Sequence, residues 1–547
     1  GVLMVCSYGD QNDVSVFREL GLNPYPAIDL DGNMTSVSGP LSGLSVIDAR
    51  NEAINILEQD GRINSIDERD QEIPVSERGG NPIEIILLKE WYVKQVDIQN
   101  RLEQLVNEVR FVPERNKQLL LDWMHSVSID WPISRRRWYH TEIPLWYSED
   151  GETIVVPPRG SYVRPWCESP PPGSVAINRM TRAEIGKLED LELGELIGES
   201  KVFDTWMDSS NSNLFVSGYG GDESNFNRSF PTALRPQGKE IVRTWLYYTM
   251  LKSAHLLDSP AFQTVWIDGL GMDPWGRKMS KSWGNGIDAD SVLDCGLGGR
   301  TGSWQIRGPD GKSVKLKANK IGSECFRLWK AAEAQVGDDF HINPEEIESK
   351  YFGVLTKIFN VARFASQFKY PESRPTTISN ADSWILSEYD RMRKNSKKHW
   401  SEIDIYSATQ AVKTFLTGVF PSHWMEMAKS RLYDEDPSAS WTLHTILSGS
   451  LSILSPVCPL FCHHLSSVLY GNSTMYENEY PSTPGVSVDN SNIVTKAMIH
   501  FNGEIWRTKK ERNLSLKSPL EGVSVPDELA DYTCLLYTSP SPRDVST

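Results

Sequence analysis

The decapeptide Gly276-Arg277-Lys278-Met279-Ser280-Lys281-Ser282-Trp283-Gly284-Asn285 follows closely on a short β-type run, Val265-Trp266-Ile267. Two lysines within four residues, set among Gly and Ser, form a loop whose amines can reach phosphate oxygens. Backbone N–H groups beside a helix start cradle the same oxygens. Such chemistry places the loop at the carboxyl ends of parallel strands, where open α/β sheets take their ligands. The flanking text is of that kind: Phe230 to Leu234 reads as a strand, Glu240 to Ser253 as a helix, and Thr264 to Ile267 as a second strand. Taken alone, a lysine-rich loop is more often a solvated surface. The neighbouring text must carry the decision.

Working outward, Val2 to Cys6 reads as a strand, with turns at Gly9-Asp10, Asp31-Gly32 and Gly39-Pro40. Helical spacing runs from Asp48 to Glu58 and ends at Gly61, while the apolar run Ile83 to Leu88 predicts a buried strand. Pro157-Pro158, Pro165 and Pro170-Pro171-Pro172 mark an extended surface excursion. Beyond the lysine loop, Cys295 to Gly322 predicts a surface hairpin insertion about a Pro309-Asp310-Gly311 turn, with no catalytic role. Helical text then continues from Pro344 to about Tyr470, as a bundle. The closing stretch, Cys534 to Thr547, turns Ser/Pro-rich and aperiodic and reads as a non-native tail.

The chain has 547 residues, enough for about three or four domains. Apolar residues make up 39% and charged residues 23%, which excludes disorder. A net charge of −16 excludes coating of nucleic acid by bulk positive charge and leaves room for a local basic groove. Seven cysteines, with no Cys-x-x-Cys pair, argue against a disulfide framework and fit a reducing, cytoplasmic compartment. From Pro437 to Tyr476 there is no Asp, Glu, Lys or Arg, yet prolines, Ser and His break the run, so it predicts buried helices rather than a membrane span. Cys458, Cys462, His463 and His464 lie inside it without a second ligand pair at zinc-site spacing, so no zinc is expected.

The pentapeptide Lys278-Met279-Ser280-Lys281-Ser282 resembles the second signature of class I aminoacyl-tRNA synthetases. Asp130-Trp131-Pro132-Ile133-Ser134-Arg135-Arg136-Arg137-Trp138-Tyr139, Glu142 to Tyr147, Phe203 to Ser210 and Leu234 to Trp245 resemble the archaeal-type valyl-tRNA synthetase family. Together these segments span most of residues 76 to 290. The resemblance implies ATP-dependent valine activation, with Mg²⁺ carried by the ATP, and transfer of valine to its tRNA by a monomer that has no membrane partner. The isoleucine sibling and a non-catalytic tRNA-binding module stand as alternatives.

Residue by residue, the resemblance makes Lys278 and Lys281 the catalytic lysines that meet the leaving pyrophosphate, Lys281 above all. Gly238 and Glu240 fall where the family contacts adenosine and its ribose, although the acid there is usually Asp. Trp206 and Ile241 would line the valine pocket. Asp13 and Asp10 would serve editing, by holding the α-amino group of mischarged threonine. A hydrophobic valine pocket rejects threonine by only ~10², a figure documented for this synthetase type rather than derived from these residues. The family's His-x-Gly-His signature does not occur in the sequence. The expectation is therefore a fragment, inactive by itself. The fold implied is a Rossmann-type α/β half-domain with a parallel sheet, followed by an all-α anticodon-binding bundle and preceded by the remnant of an α/β editing domain. The expected divisions are 1–75 for the end of the editing domain, 76–294 for the catalytic half, 295–322 for the hairpin and 323–343 for a connecting segment. They continue with 344–510 for the bundle, 511–533 for a truncated tail and 534–547 for non-native residues. Ile358 to Phe364 and Trp424 to Tyr433 match the bundle, and Lys509-Lys510-Glu511-Arg512 reads as a basic segment facing tRNA backbone.

Overall fold

The computed structural model describes residues 5, 11–67, 70, 73–76, 79–295, 301–471, 475, 479–515, 518, 520 and 522–532. The strand expected at Val2–Cys6 (Val5 apart), the turn at Gly9-Asp10 and the tail from Cys534 lie outside them. The chain divides into two compact units, Gly1–Val93 with Asp130–Asp204, and Lys94–Ile129 with Thr205–Thr547.

In the first unit, the described residues up to 75 carry the helices Gln11–Glu19 and Val46–Gln59 and a 3₁₀ turn at Ser36–Leu41. Ser45 starts the second helix as its cap, its Oγ accepting from Asp48 N–H at 3.1 Å. The run Ile83 to Leu88 corrects the sequence reading. Among the described residues no ladder forms with it, and Ile83 and Leu87 are 50% and 57% exposed. An apolar run becomes a buried strand only where a neighbour pairs its backbone. A second difference is a five-stranded antiparallel sheet in text expected to be α/β. Its spatial order is Glu184–Lys187, Val175–Asn178, Thr153–Val156, Trp146–Ser148 and Leu196–Gly198. The proline-rich excursion belongs to this sheet's loops, and Trp146, Val155, Val163 and Ala176 form the small core beneath it.

The second unit is built on three parallel strands in the order Thr232–Gly238, Phe262–Asp268, Arg110–Val112. The helix expected from Glu240 begins instead as a 3₁₀ turn at Lys239–Ile241 and a π turn at Val242–Leu246, becoming α-helical over Tyr247–Leu257. Gly302–Arg307 and Ser313–Ala318 form the expected hairpin, exposed on one face and buried on the other. Trp304, Ile306, Leu316 and Ala318 are buried, while Ser303, Gln305 and Arg307 alternate outward. Residues 323–343, expected as a connector, are mostly the helix Gly322–Glu333.

Helices Gly353–Ala365, Asn380–Ser401, Ile405–Thr417, Glu426–Tyr433, Pro437–Leu454, Pro459–Tyr470 and Ser491–Glu511 make the bundle. One continuous core runs from Val292 to Tyr532, so hairpin, connector, bundle and tail are not separate bodies. The uncharged stretch forms two helices, Pro437–Leu454, largely buried as expected, and Pro459–Tyr470, buried only at Cys462, Leu465 and Ser466. Among the described residues no helix is long and apolar enough to cross a membrane. Lys509 corrects the basic-segment reading. It is 4% exposed, turned into the protein, whereas Lys510 and Arg512 face out.

Candidate functional site

Gly238 and Asp268 sit side by side at the carboxyl ends of two parallel strands. Beyond them opens a cavity of about 400 Å³, lined by Pro236, Gln237, Gly238, Glu240, Trp266, Asp268, Gly269, Leu270 and Gly271. At Gly238 the space a β-carbon would take is filled by the Glu240 carboxylate, and at Gly269 by the carbonyl of Asp338. Glycine is required at Gly269, where backbone approaches backbone too closely for a side chain, whereas at Gly238 the obstacle is the movable tip of the exposed Glu240 side chain.

The charged groups around the mouth are mostly satisfied. Lys330 Nζ lies 2.8 Å from Asp268 Oδ2 and 3.7 Å above the Phe340 ring, and Lys239 Nζ lies 2.5 Å from Asp339 Oδ1. Burial pulls the Lys330 amine below its ordinary range despite the pull of Asp268. Asp339 is held low: burial pushes its carboxyl up, but the bonds from Lys239 and the Leu270 backbone outweigh it. Two groups differ. Glu240 is exposed and makes no ion pair among the described residues. Gln237 is 7% exposed, and neither its Oε1 nor its Nε2 has a partner. A buried amide atom left unpaired costs about 1–3 kcal/mol, which a polar ligand in the cavity would offset. Sequence reading passed over Gln237, although its place one residue before a strand-end glycine was a usable signal.

The lysine loop starts at the cavity rim. Gly271–Met272 pairs with Phe340–His341, and Met272 then bridges to Lys278 across a tight turn in which Asp273 N–H donates to the Arg277 carbonyl at 2.8 Å. Gly276 takes φ +81° there, a conformation that suits glycine. Asp273 is fully buried and organises the turn. It accepts from Arg277 Nε at 2.8 Å, Asn285 Nδ2 at 3.0 Å and the Trp275 and Arg277 N–H groups. Burial pushes the Asp273 carboxyl up, but these bonds outweigh it and hold it below the usual carboxylate range. Asn285, also fully buried, reaches back to the Lys278 carbonyl and accepts from Ser280 N–H. Lys278 and Lys281 themselves are exposed, with no acid partner among the described residues.

Trp206 lies on the helix Thr205–Ser209 and Ile241 at the end of the 3₁₀ turn. The two elements are joined through the next turn, where buried Trp245 donates Nε1–H to the Ser209 carbonyl at 2.8 Å. Arg235 stacks 3.8 Å above the Trp245 ring. Trp245 was within the segment read from sequence but not singled out, although four residues past Ile241 puts it on the same helical side. Asp13 lies in the first turn of Gln11–Glu19, in the other unit, and Asp10 lies outside the described residues. Cys458 and Cys462 are buried, their thiols pushed up by burial, and among the described residues no group of three His, Cys, Asp or Glu could hold a metal.

A family model described as tRNA synthetases class I (I, L, M and V) matches residues 29–343, and one described as anticodon-binding domain of tRNA ligase matches residues 382–524. Among curated proteins, the valine–tRNA ligase of Aeropyrum pernix is 34% identical over 536 residues, covering 96% of this chain and 60% of that protein. That of Nanoarchaeum equitans is also 34% identical over 536 residues, with 97% and 64% covered. That of Pyrobaculum aerophilum is 32% identical over 543 residues, with 97% and 62% covered. The chain spans roughly three fifths of the length of these relatives.

Proposed function

We propose, from the premise that this chain belongs to the class I tRNA synthetases of the I, L, M and V group, that it serves the charging of valine tRNA. The observation that carries the reading is the lysine loop, rooted at the rim of a strand-end cavity with both amines free of acid partners among the described residues. In the reaction, a valine carboxylate oxygen attacks the α-phosphorus of ATP in line. The bond to the bridging oxygen breaks, and pyrophosphate leaves with its Mg²⁺. A hydroxyl of the tRNA's terminal adenosine then attacks the adenylate's carbonyl carbon and releases AMP. Lys281, helped by Lys278, neutralises charge as it builds on the departing pyrophosphate, with no covalent enzyme intermediate. Gly238 allows close approach of the nucleoside, and Glu240 and the unpaired amide of Gln237 hold its polar edge. Trp206, Ile241 and Trp245 close on the small aliphatic side chain.

The bundle, which we place at 344–510 together with the turn Asp527–Tyr532 that Leu529 and Tyr532 anchor, reads the tRNA. Asp13 and Asp10 are assigned to editing of threonine on resemblance alone. We place the protein in the cytoplasm, as a monomer. Three relatives that are valine–tRNA ligases favour valine over isoleucine. The tRNA-binding-module reading has one observation behind it, the lack of a His-x-Gly-His segment in this sequence. Valine-dependent ATP–pyrophosphate exchange decides between them. The chain alone is expected to be silent. Completed with the His-x-Gly-His part of a relative, it should exchange, and Lys281→Ala should lower kcat by roughly 10²-fold or more with little change in valine KM. Exchange that survives Lys281→Ala would refute the catalytic reading of the loop.

A further inference from the structure

The hairpin touches the lysine loop through the main chain of Arg307. Arg307 N–H donates to the Gly284 carbonyl at 2.9 Å, and the Arg307 carbonyl accepts from Arg277 Nη2 at 2.5 Å. These contacts bracket the loop, since Arg277 precedes Lys278 and Gly284 follows Lys281. Arg277 is itself fixed, its guanidinium shared between Arg307 and the buried carboxylate of Asp273 at 2.7 Å. The hairpin is a firm anchor because its inner face, Trp304, Ile306 and Leu316, is buried in the same core as the bundle. Its second strand is tied as well, with Lys317 N–H donating to Glu345 at 3.0 Å and Asn319 N–H to Glu348 at 2.6 Å.

We propose that Arg307, acting through its backbone, is a positioning residue for the lysine loop. It clasps both ends of the loop and thereby sets where the amines of Lys278 and Lys281 stand. Two exposed lysines with no acid partner among the described residues have no ion pair there to fix their amines, and charge stabilisation works only when the charge is held in place beforehand. The clasp also joins the loop to the core of the bundle, so the hairpin is part of the working apparatus rather than an ornament. The consequence for catalysis rests on the reading of the loop as the pyrophosphate site. The clasp itself can be judged without that reading.

Three variants of the full chain test it. Arg307→Pro removes the N–H donor at an outward-facing strand end and leaves the buried face intact. Arg307→Ala keeps both main-chain bonds. Arg277→Lys keeps a cation beside Asp273 but loses the fork that also reaches Arg307. Trypsin cleavage after Lys278 and Lys281, under native conditions, reports local opening of the loop. Arg307→Pro and Arg277→Lys should be cut roughly fivefold faster or more, with an unchanged thermal midpoint, and Arg307→Ala at the wild-type rate. In the exchange-competent completed chain, Arg307→Pro should lower kcat with little change in valine KM. Wild-type cleavage rates in both Arg307→Pro and Arg277→Lys would overturn the clasp. So would an Arg307→Ala variant cut as fast as Arg307→Pro, because the side chain would then be the agent. If Arg307→Pro lowers the thermal midpoint, Arg277→Lys decides. Absence of exchange in the completed wild type would count against the proposed function while the proteolysis still judged the clasp.

Discussion

Lys252 is an amine set almost wholly out of water, 5% exposed, with its Nζ bonded to the Asn211 side chain at 3.0 Å and to the Met207 carbonyl. Burial lowers its pKa from 10.5 to about 8, against a weaker upward pull from Asp208. Below about pH 8 both folded and unfolded chains carry the proton, and the folded state bears the full penalty of a buried ammonium. Between that value and 10.5 the folded amine is neutral while the unfolded one is still charged, so stability rises with pH across this window and flattens above it. The rise from this group is roughly 3 kcal/mol. Lys252→Met should abolish it and unfold at higher urea concentration than wild type at pH 7. Equal pH profiles for the two proteins between pH 7 and 10 would show that water reaches the amine. No feature of its own sequence marks Lys252 as buried. By contrast Lys278, Lys281, Gly238 and Glu240 lie in short contiguous runs, so the sequence could name them as candidates, the lysines by phosphate chemistry and Gly238 and Glu240 by family resemblance. The place of Gln237 beside the strand-end glycine is visible in sequence, but that its amide is unpaired is a property of its surroundings.

At the scale of elements, the hairpin was legible and its burial was not. A Pro-Asp-Gly turn between two alternating runs is local information, and the observed register pairs Arg307 with Ser313 across it. Trp304 and Ile306 are buried in a core shared with helix Gly322–Glu333 and the bundle, which no local pattern announces. Trp304→Ala should therefore destabilise the protein by about 3–5 kcal/mol in urea denaturation. Trp304→Phe should cost markedly less, because the Trp304 Nε1 has no hydrogen-bond partner to lose. A change within about 0.5 kcal/mol for the alanine variant would restore the surface-insertion reading. The run Ile83 to Leu88 teaches the opposite case. Apolar residues in sequence supply the side chains of a buried strand but not the partner that makes one.

For the molecule as a whole, a net charge of −16 opposes binding to a polyanion, so tRNA binding must rest on a local basic surface. The full chain is expected to bind valine tRNA with an affinity that falls at least about tenfold between 50 and 200 mM salt, as counterion release requires of even a few phosphate contacts. Lys510→Ala with Arg512→Ala should weaken binding and flatten the salt slope, whereas the buried Lys509 should contribute nothing to that slope. Filter binding across salt concentrations measures both, and a slope unchanged in the double variant would remove this helix end from the interface. Taken by itself, the sequence determined the class of fold and the family and named the contiguous signature residues as candidates, because each of these is written in short-range pattern and residue chemistry. It also indicated that the uncharged run, whose described part forms the helices Pro437–Leu454 and Pro459–Tyr470, is not a membrane span, since prolines and polar residues interrupt it. Only the tertiary structure decided that hairpin, connector and tail share one core, that Lys252 and Lys509 are buried, that Gln237 is unpaired, and that Arg307 clasps the lysine loop. Those outcomes depend on contacts between residues distant in sequence, and burial and hydrogen-bond satisfaction are properties of such contacts rather than of any one segment.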